Sequence, residues 1–465
     1  MSGTITEADV VIVGAGPAGA NAALALADAG IRSLLVDDNH DAGGQVWRTG
    51  PGDRHAGFAF RDGRADALRA ALARNTLIEH RAGTEVVGLF DGLHLWLHKD
   101  GQGVADVRAK NLIVATGAVE QFVPVPGWTL PSVFGLGGLQ SLLKAARAVP
   151  QGPVVLAGAG PLLHLTAAQL AALGADIVAV VDAAPRPNVG QVLAMASALG
   201  QLAKGLAFDW SLVRSGIPIL RGHAVAAIRG DGAVAEVDVV PLDAEWRPQN
   251  GPTRTFRCET VGLGFGVRPN VELTRLLGCE HDYTANRGGW HARRGEFLET
   301  TVPGVFVAGD GGGIEGVEAA IAQGIIAAHG VAQRLGKGDK LAGRAHAALG
   351  KRRSLGRFRD AVESWSRVRP GIFQLTTPQT IVCRCEDAVR AQITDAAQAG
   401  YTLVGPMKMN TRIGMGLCQG RTCTFALQHI MAAEAGIDVS QVGVPSNRTP
   451  LRPIPIGDAA RMAEG

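Results

Sequence analysis

The chain has 465 residues, with 45 Lys and Arg against 42 Asp and Glu. At about 150 residues per domain this length predicts roughly three domains and excludes a small scaffold held by disulfides. A formal charge of +3 makes no strong field, so nucleic acid or an acidic membrane as main partner is disfavoured.

Gly supplies 63 residues, about twice the usual ~7%, without a Gly-X-Y period. Such a surplus points to backbone turns pressed close to a ligand. No basic stretch precedes the first apolar run, and nowhere do about 18 apolar residues follow one another uninterrupted. No export signal or transmembrane helix is expected, and the location expected is cytoplasmic. Two of the six Cys, Cys258 and Cys279, stand alone among apolar residues and read as packing residues.

Residues 9–13 (DVVIV) read as a buried strand, and GAGPAG follows at once, opening an Ala-rich helical stretch from Ala18 to Ala29. This strand, glycine loop and helix are the context that makes a Gly-x-Gly-x-x-Gly match specific. Gly14 permits the tight turn, Gly16 the approach of a pyrophosphate, and Gly19 close packing of helix on strand. Pro17 and Ala18 start the helix, whose free N–H groups face the phosphates. A second strand, RSLLV, ends at Asp37 and Asp38, 23 and 24 residues beyond Gly14, where an acid can accept hydrogen bonds from an adenosine ribose. Asp37 ranks first for that role and Asp38 second.

Three further segments follow: GGQVWR at 43–48, LIVATGA at 112–118 and TTVPGVFVAGDGGG at 300–313. In order and spacing they resemble the FAD segments of the flavoprotein superfamily with two dinucleotide-binding domains, typified by the disulfide reductases. The resemblance implies FAD, with Gly43, Gly44, Gln45, Thr116, Gly117, Gly309 and Asp310 among its binding residues. It also implies that Asp310 holds the ribityl or pyrophosphate part, with residues 316–324 packed by the isoalloxazine. The Cys pair that such reductases carry beside the flavin is missing here.

Residues 153–186 repeat the pattern, with PVVLAGAGP, an apolar helical run and DIVAVVD ending at Asp182. Gly158 and Gly160 survive, but Leu163 occupies the third glycine position, where its side chain must displace the helix or rearrange the loop. Functional NAD(H) binding, another adenine nucleotide and a purely structural unit all remain open for this repeat. His164, beside the altered loop, reads as a packed or solvated histidine.

Residues 344–369 carry eight basic residues against Asp360 and Glu363, with Leu355, Phe358, Val362 and Trp365 at helical spacing. This is an amphipathic helix with a basic outer face. Beyond it, Cys383, Cys385, Cys418 and Cys423 follow the pattern Cys-x-Cys-x32-Cys-x4-Cys, each pair ahead of an expected helix. Four thiolates so gathered suit a 2Fe-2S cluster or a tetrahedral zinc, the cluster first because a flavoprotein gains from a one-electron acceptor. Arg384, Arg412 and Arg421 would offset their charge. The segment resembles the bacterioferritin-associated-ferredoxin-like 2Fe-2S domain, whose second pair is usually Cys-x2-Cys.

The fold class expected is therefore α/β, with two Rossmann-like dinucleotide-binding domains and a small, mainly helical carboxy-terminal 2Fe-2S domain. The boundaries expected are 1–125 with 286–335 for FAD, 126–285 for the degenerate NAD(P)-like unit, 336–375 for the linker and 376–465 for the cysteine domain and tail. The combination of GAGPAG, GAGPLL, GGQVWR, CRCE, CQGRTC and the tail PLRPIPIG resembles the α-type subunit of multi-subunit bacterial amine, amino-acid and opine dehydrogenases, across almost the whole chain. That resemblance implies a hetero-oligomer in which a D-amino-acid-oxidase-type flavoprotein oxidises the substrate C–N bond. A small 2Fe-2S protein is a further partner it allows, while this chain passes electrons to an external acceptor. Two other readings stay open: a self-sufficient NAD(P)H-dependent flavin and iron-sulfur reductase, and a non-enzymatic binding module using the cysteine segment.

Overall fold

The β-branched run near the amino terminus forms the strand Thr6–Val13, whose last four residues are buried. It pairs in parallel with Ser33–Asp37 on one side and Gly103–Val114 on the other, with Val13 opposite both Val36 and Val114. This computed structural model describes residues 6–50 and 62–464. Ile78–Ala82 extends the sheet in parallel beyond Ser33–Asp37. Gly103–Val114 takes His94–Lys99 antiparallel along its first half and Val305–Val307 parallel along its last three residues. Glu85–Phe90 completes the seven strands. The first loop thus leaves the carboxyl ends of parallel strands, where α/β sheets bind their ligands.

The helix Pro17–Asp28 lies on this sheet and against the helix Val317–Arg334. Their approach is at backbone range: a methyl group on Gly324 would lie 2.2 Å from the carbonyl oxygen of Ala18. The Ala-rich sequence of both helices follows from that distance.

Packing divides the chain into two compact units. The first holds residues up to 118, residues 268–356 and the stretch from 446 onward; the second holds 119–267 and 357–445. The exchanges fall at 118/119 and 267/268, earlier than the motifs suggest. The last stretch belongs with the first unit, not with the cysteines. There, the Leu451 N–H donates to the carbonyl of Val87, Arg452 pairs with Glu272, and Asp458 meets His98 at 2.8 Å.

The second unit is built on five parallel strands in the order Ile219–Arg221, Asp176–Asp182, Pro153–Gly158, Thr260–Gly264 and Val133–Gly135. An antiparallel sheet of His223–Arg229, Glu236–Pro241 and Arg254–Arg257 joins it. The cysteine segment shares its hydrophobic core through Ile372, Phe373, Val382, Ile393, Phe425 and Ile430. That segment is mainly helical, with Arg390–Gln398, Val404–Thr411 and Thr424–Ala435. The basic stretch is helical over Ala342–Ser366, with Leu355, Phe358, Val362 and Trp365 half-buried and Lys351, Arg353 and Arg357 exposed. Among the described residues no helix is long and apolar enough to cross a membrane.

Candidate functional site

In the first unit the glycine loop is a cradle that side chains would fill. Gly14 has φ +105°, and a methyl group there would lie 2.4 Å from the Ala115 carbonyl oxygen; on Gly19 it would lie 1.8 Å from the oxygen of Gly14. Gly16, by contrast, meets nothing nearer than Gly44 Cα at 3.9 Å, so its outer face is open. Pro17 occupies the first helical turn, where the N–H groups have no intrahelical partner. The Gly43–Gly44 turn packs onto this loop, and the Gly43 N–H donates to Ala15 O at 2.8 Å. Gln45 beside it is exposed.

The two aspartates divide in a way their sequence order does not suggest. Asp37 is buried, and its carboxylate accepts from the backbone N–H groups of Ala15 and Asn39 and from the Asn39 side chain. It fixes the glycine loop from below. Asp38 is exposed as a residue and accepts from the Asn39 amide, and partial burial of its carboxyl beside Asp37 raises it above the ordinary value. Asp37 closes the strand Ser33–Asp37 and is spent on the loop, while Asp38 lies in the bend just past the strand.

Thr116, Gly117 and the Gly309–Gly312 turn converge farther along the same strand ends. Thr116 Oγ1 donates to the Asn270 carbonyl at 3.2 Å, and a methyl group on Gly311 would meet Thr116, Gly117 and Asn270 at 3.6 Å. Asp310 accepts from the backbone N–H groups of Glu315 and Gly316 at 2.9 and 3.0 Å. Burial raises its carboxyl above the ordinary value, against these two bonds.

Under this turn lies a charged network that the motifs do not announce. Arg294 donates to Val307 O at 2.8 Å and to Gln323 at 2.7 Å, and Gln323 accepts from the Gly309 N–H. Glu315 lies between Arg294 and Arg352, at 3.4 and 2.8 Å. Gly312 rests on the Arg294 guanidinium so closely that a methyl group would overlap it. The open face at Gly16, the exposed Asp38 and the turn carrying Asp310 make an extended polar cradle of the kind a dinucleotide such as FAD fits.

In the second unit the corresponding acid is closed. Asp182 is fully buried; it accepts from the Ala184 N–H at 3.0 Å, lies 3.0 Å from His164 Nε2 and accepts from Arg221 at 2.9 Å. His164 Nδ1 is 2.7 Å from Asp209, which also binds Arg221. Burial opposes the charge on His164, yet the two carboxylates outweigh it and raise the imidazole to about 9. His164 is therefore a charged, packed residue bound to the acid at the ribose position. Gly158 and Gly160 keep left-handed backbones at φ +152° and +88°, and Leu163 is fully buried. Ser366 stands over Gly160, 3.3 Å from where a methyl group would be, while the Trp365 indole donates to Pro185 O.

The four cysteines come together as two pairs, Cys383 with Cys423 and Cys385 with Cys418. Cys383 and Cys423 are buried, Cys418 is half-buried and Cys385 is exposed. A shared hydrogen bond holds the Cys383 thiol below the ordinary value and the Cys423 thiol above it. Asp387, Arg412 and Gln419 near these pairs are in the left-handed region, so the loops wrap tightly. A methyl group on Gly416 would lie 2.3 Å from Cys385 Cβ.

Thr424–Ala435 starts directly at Cys423, but no helix starts at Cys385: Ala388–Val389 intervenes and the helix begins at Arg390. Arg384 stacks on Trp128 and Arg412 pairs with Glu386, while Arg421 donates to the Cys418 carbonyl. Two of the three arginines are thus engaged elsewhere. Cys258 and Cys279 are buried apart, and burial pushes the Cys258 thiol up to about 11.

Residues 8–324 match the family described as pyridine nucleotide-disulphide oxidoreductase. The chain belongs to that family. Residues 377–462 match the sarcosine oxidase A3 domain. Hydrogen cyanide synthase subunit HcnB of Pseudomonas protegens is 35% identical over 96% of both chains. An opine oxidase subunit of Rhizobium meliloti is 34% identical over 98% of this chain and 99% of its own. Among solved structures, L-proline dehydrogenase from P. horikoshii matches 98% of this chain and 80% of its own, with a TM-score of 0.69 at 18% identity. Thioredoxin reductase of T. acidophilum matches 71% of this chain and 99% of its own at TM-score 0.53 and 21% identity. This member of the pyridine nucleotide-disulphide oxidoreductases is thus an oxidoreductase with the α/β fold of the disulfide reductases and a further carboxy-terminal segment. The family is one of FAD- and NAD(P)-binding folds, and its relatives here are named as subunits.

Proposed function

We propose that the chain is the FAD- and 2Fe-2S-binding electron-transfer subunit of a multi-subunit dehydrogenase that oxidises an amino acid, an opine or a related amine. The observation that carries this reading is the contrast between the two repeats: an open glycine cradle in the first, and in the second a ribose acid, Asp182, occupied by His164 and Arg221. A nicotinamide nucleotide would have to displace that network. The names of the relatives, subunits of an opine oxidase and of a hydrogen cyanide synthase, support the substrate class.

The donor set favours a binuclear cluster over a single zinc. Tetrahedral Zn–S bonds of about 2.3 Å would bring all four sulfurs within about 3.8 Å of one another. Among the described residues the group of three or more such ligand atoms mutually within 4.8 Å is His98, Asp100 and Asp458, not the cysteines. Two pairs are the arrangement that two irons, each with two thiolates, require. Flavin and cluster together would supply two-electron acceptance and one-electron release.

The chain's own residues then have distinct tasks. The first-turn N–H groups after Gly16 meet the pyrophosphate, Asp38 meets the ribose, and Asp310 meets the ribityl or pyrophosphate oxygens. Cys383, Cys385, Cys418 and Cys423 hold the irons. Oxidation of the C–N bond falls to a partner flavoprotein of the D-amino-acid-oxidase type, with a small 2Fe-2S protein as a further partner.

Anaerobic mixing of the purified holoprotein with NADH and NADPH tests this assignment. The flavin band is expected to persist; prompt bleaching would make the chain a self-sufficient reductase. Rapid oxidation of a free amino acid by the chain alone would overturn the division of labour.

A further inference from the structure

In the second unit the helix Leu199–Arg214 buries a single side chain, Leu212. Leu199, Ala203, Leu206, Trp210 and Val213 recur at intervals of four, three, four and three residues. At 3.6 residues per turn they fall in one stripe on the side away from Leu212. All five are exposed, the four larger ones by 70, 59, 68 and 58% in that order without Ala203. A seam of this period is the surface that packs against another helix.

The short helix Val189–Met195 ahead of it exposes Val189, Val192 and Leu193 as well. Seven of the sixteen exposed large hydrophobic side chains among the described residues therefore lie within 25 positions. Scattered exposed apolar side chains are ordinary, but a contiguous patch marks an interface. Charge is sparse, with Lys204, Asp209 and Arg214 over the long helix, and Asp209 already bound to Arg221.

We propose that this seam is occupied by the same seam of a second copy of this chain, packed antiparallel about a two-fold axis at Leu206. Taken layer by layer, the stripe maps onto itself by reversal about that residue. Reversal places Leu206 against Leu206 and Leu199 against Val213, and it sets the largest side chain, Trp210, opposite the smallest, Ala203. Large against small is how facing helices fill space, and a two-fold contact demands such self-complementarity.

The charges agree with the same axis. Antiparallel helices set each amino terminus beside the partner's carboxyl terminus, which their macrodipoles favour. Flanking the stripe, Asp209 comes opposite Leu202 and Arg214 opposite Gly200, so no like charges meet across the axis.

Sedimentation equilibrium of the full-length protein over a wide concentration range tests the proposal. The wild type is expected to dimerise, and Leu206→Glu, a surface change that leaves the circular dichroism spectrum intact, to be monomeric. Ala203→Trp sets Trp against Trp and Trp210→Ala leaves a void, and each should weaken dimerisation by at least about tenfold. The double variant Ala203→Trp/Trp210→Ala exchanges the two sizes and should restore wild-type dimerisation. A monomeric wild type, a dimer indifferent to Leu206→Glu, or a double variant as weak as the single ones would overturn it and leave the seam to a different subunit.

Discussion

The pairing of His164 with Asp182 and Asp209 makes the stability of the second unit depend on pH in a calculable direction. His164 is raised from 6.5 to about 9, and at 1.36 kcal/mol per pH unit this is worth about 3 kcal/mol. Because the folded value lies above the unfolded one, the contribution is fully present below about pH 6.5 and is lost as the pH rises through about 9. The side chain is 6% exposed, so solvent screening does little to reduce it. His164→Gln keeps a donor toward Asp182 but removes the charge. Urea unfolding of wild type and variant should differ by about 3 kcal/mol at pH 6, and the difference should shrink toward zero near pH 10. Comparing the two proteins cancels other titrating groups. A difference that stayed constant from pH 6 to pH 10 would refute a protonated His164 as the link between the two carboxylates.

Three further outcomes are expected. Gly19→Ala, whose methyl group would lie 1.8 Å from Gly14 O, should yield protein without flavin absorbance, whereas Gly343→Ala, with nothing within 4 Å, should keep it. Asp38→Asn should weaken FAD binding by about 1 kcal/mol, roughly fivefold in Kd, read by flavin fluorescence titration; Asp37→Asn should instead lower the melting temperature through the loop bonds to Ala15 and Asn39. Arg294→Met removes one of the two arginines beside the buried Glu315 and should destabilise the first unit by about 3 kcal/mol, measured by denaturant titration.

What could be read from the sequence was set by how local the physics is. Gly14 and Gly19 announce themselves because their positions exclude a β-carbon whatever else the chain does. The paired cysteines were likewise readable, since thiols seldom cluster without cause. The division of tasks between Asp37 and Asp38 was not, because it depends on where the strand ends and on which of the two the Ala15 loop comes to pair with. Nor could spacing foresee the closure of Asp182, whose partners His164 and Arg221 lie in different elements. Arg294, Glu315 and Arg352 carry no motif at all; the sole hint was charge within the otherwise apolar, Gly-rich surroundings of the 309–313 turn.

The strap from Leu451 to Asp458 bears on the order in which the chain can be completed during synthesis. Strands made early wait for later chain: Gly103–Val114 for Val305–Val307, and Glu85–Phe90 and His94–Lys99 for residues beyond 445. The first unit is begun before the second and closed only after the second has been made. Nascent chains halted before residue 446 should therefore carry an unfinished first unit, more open to protease than the same residues in the released protein.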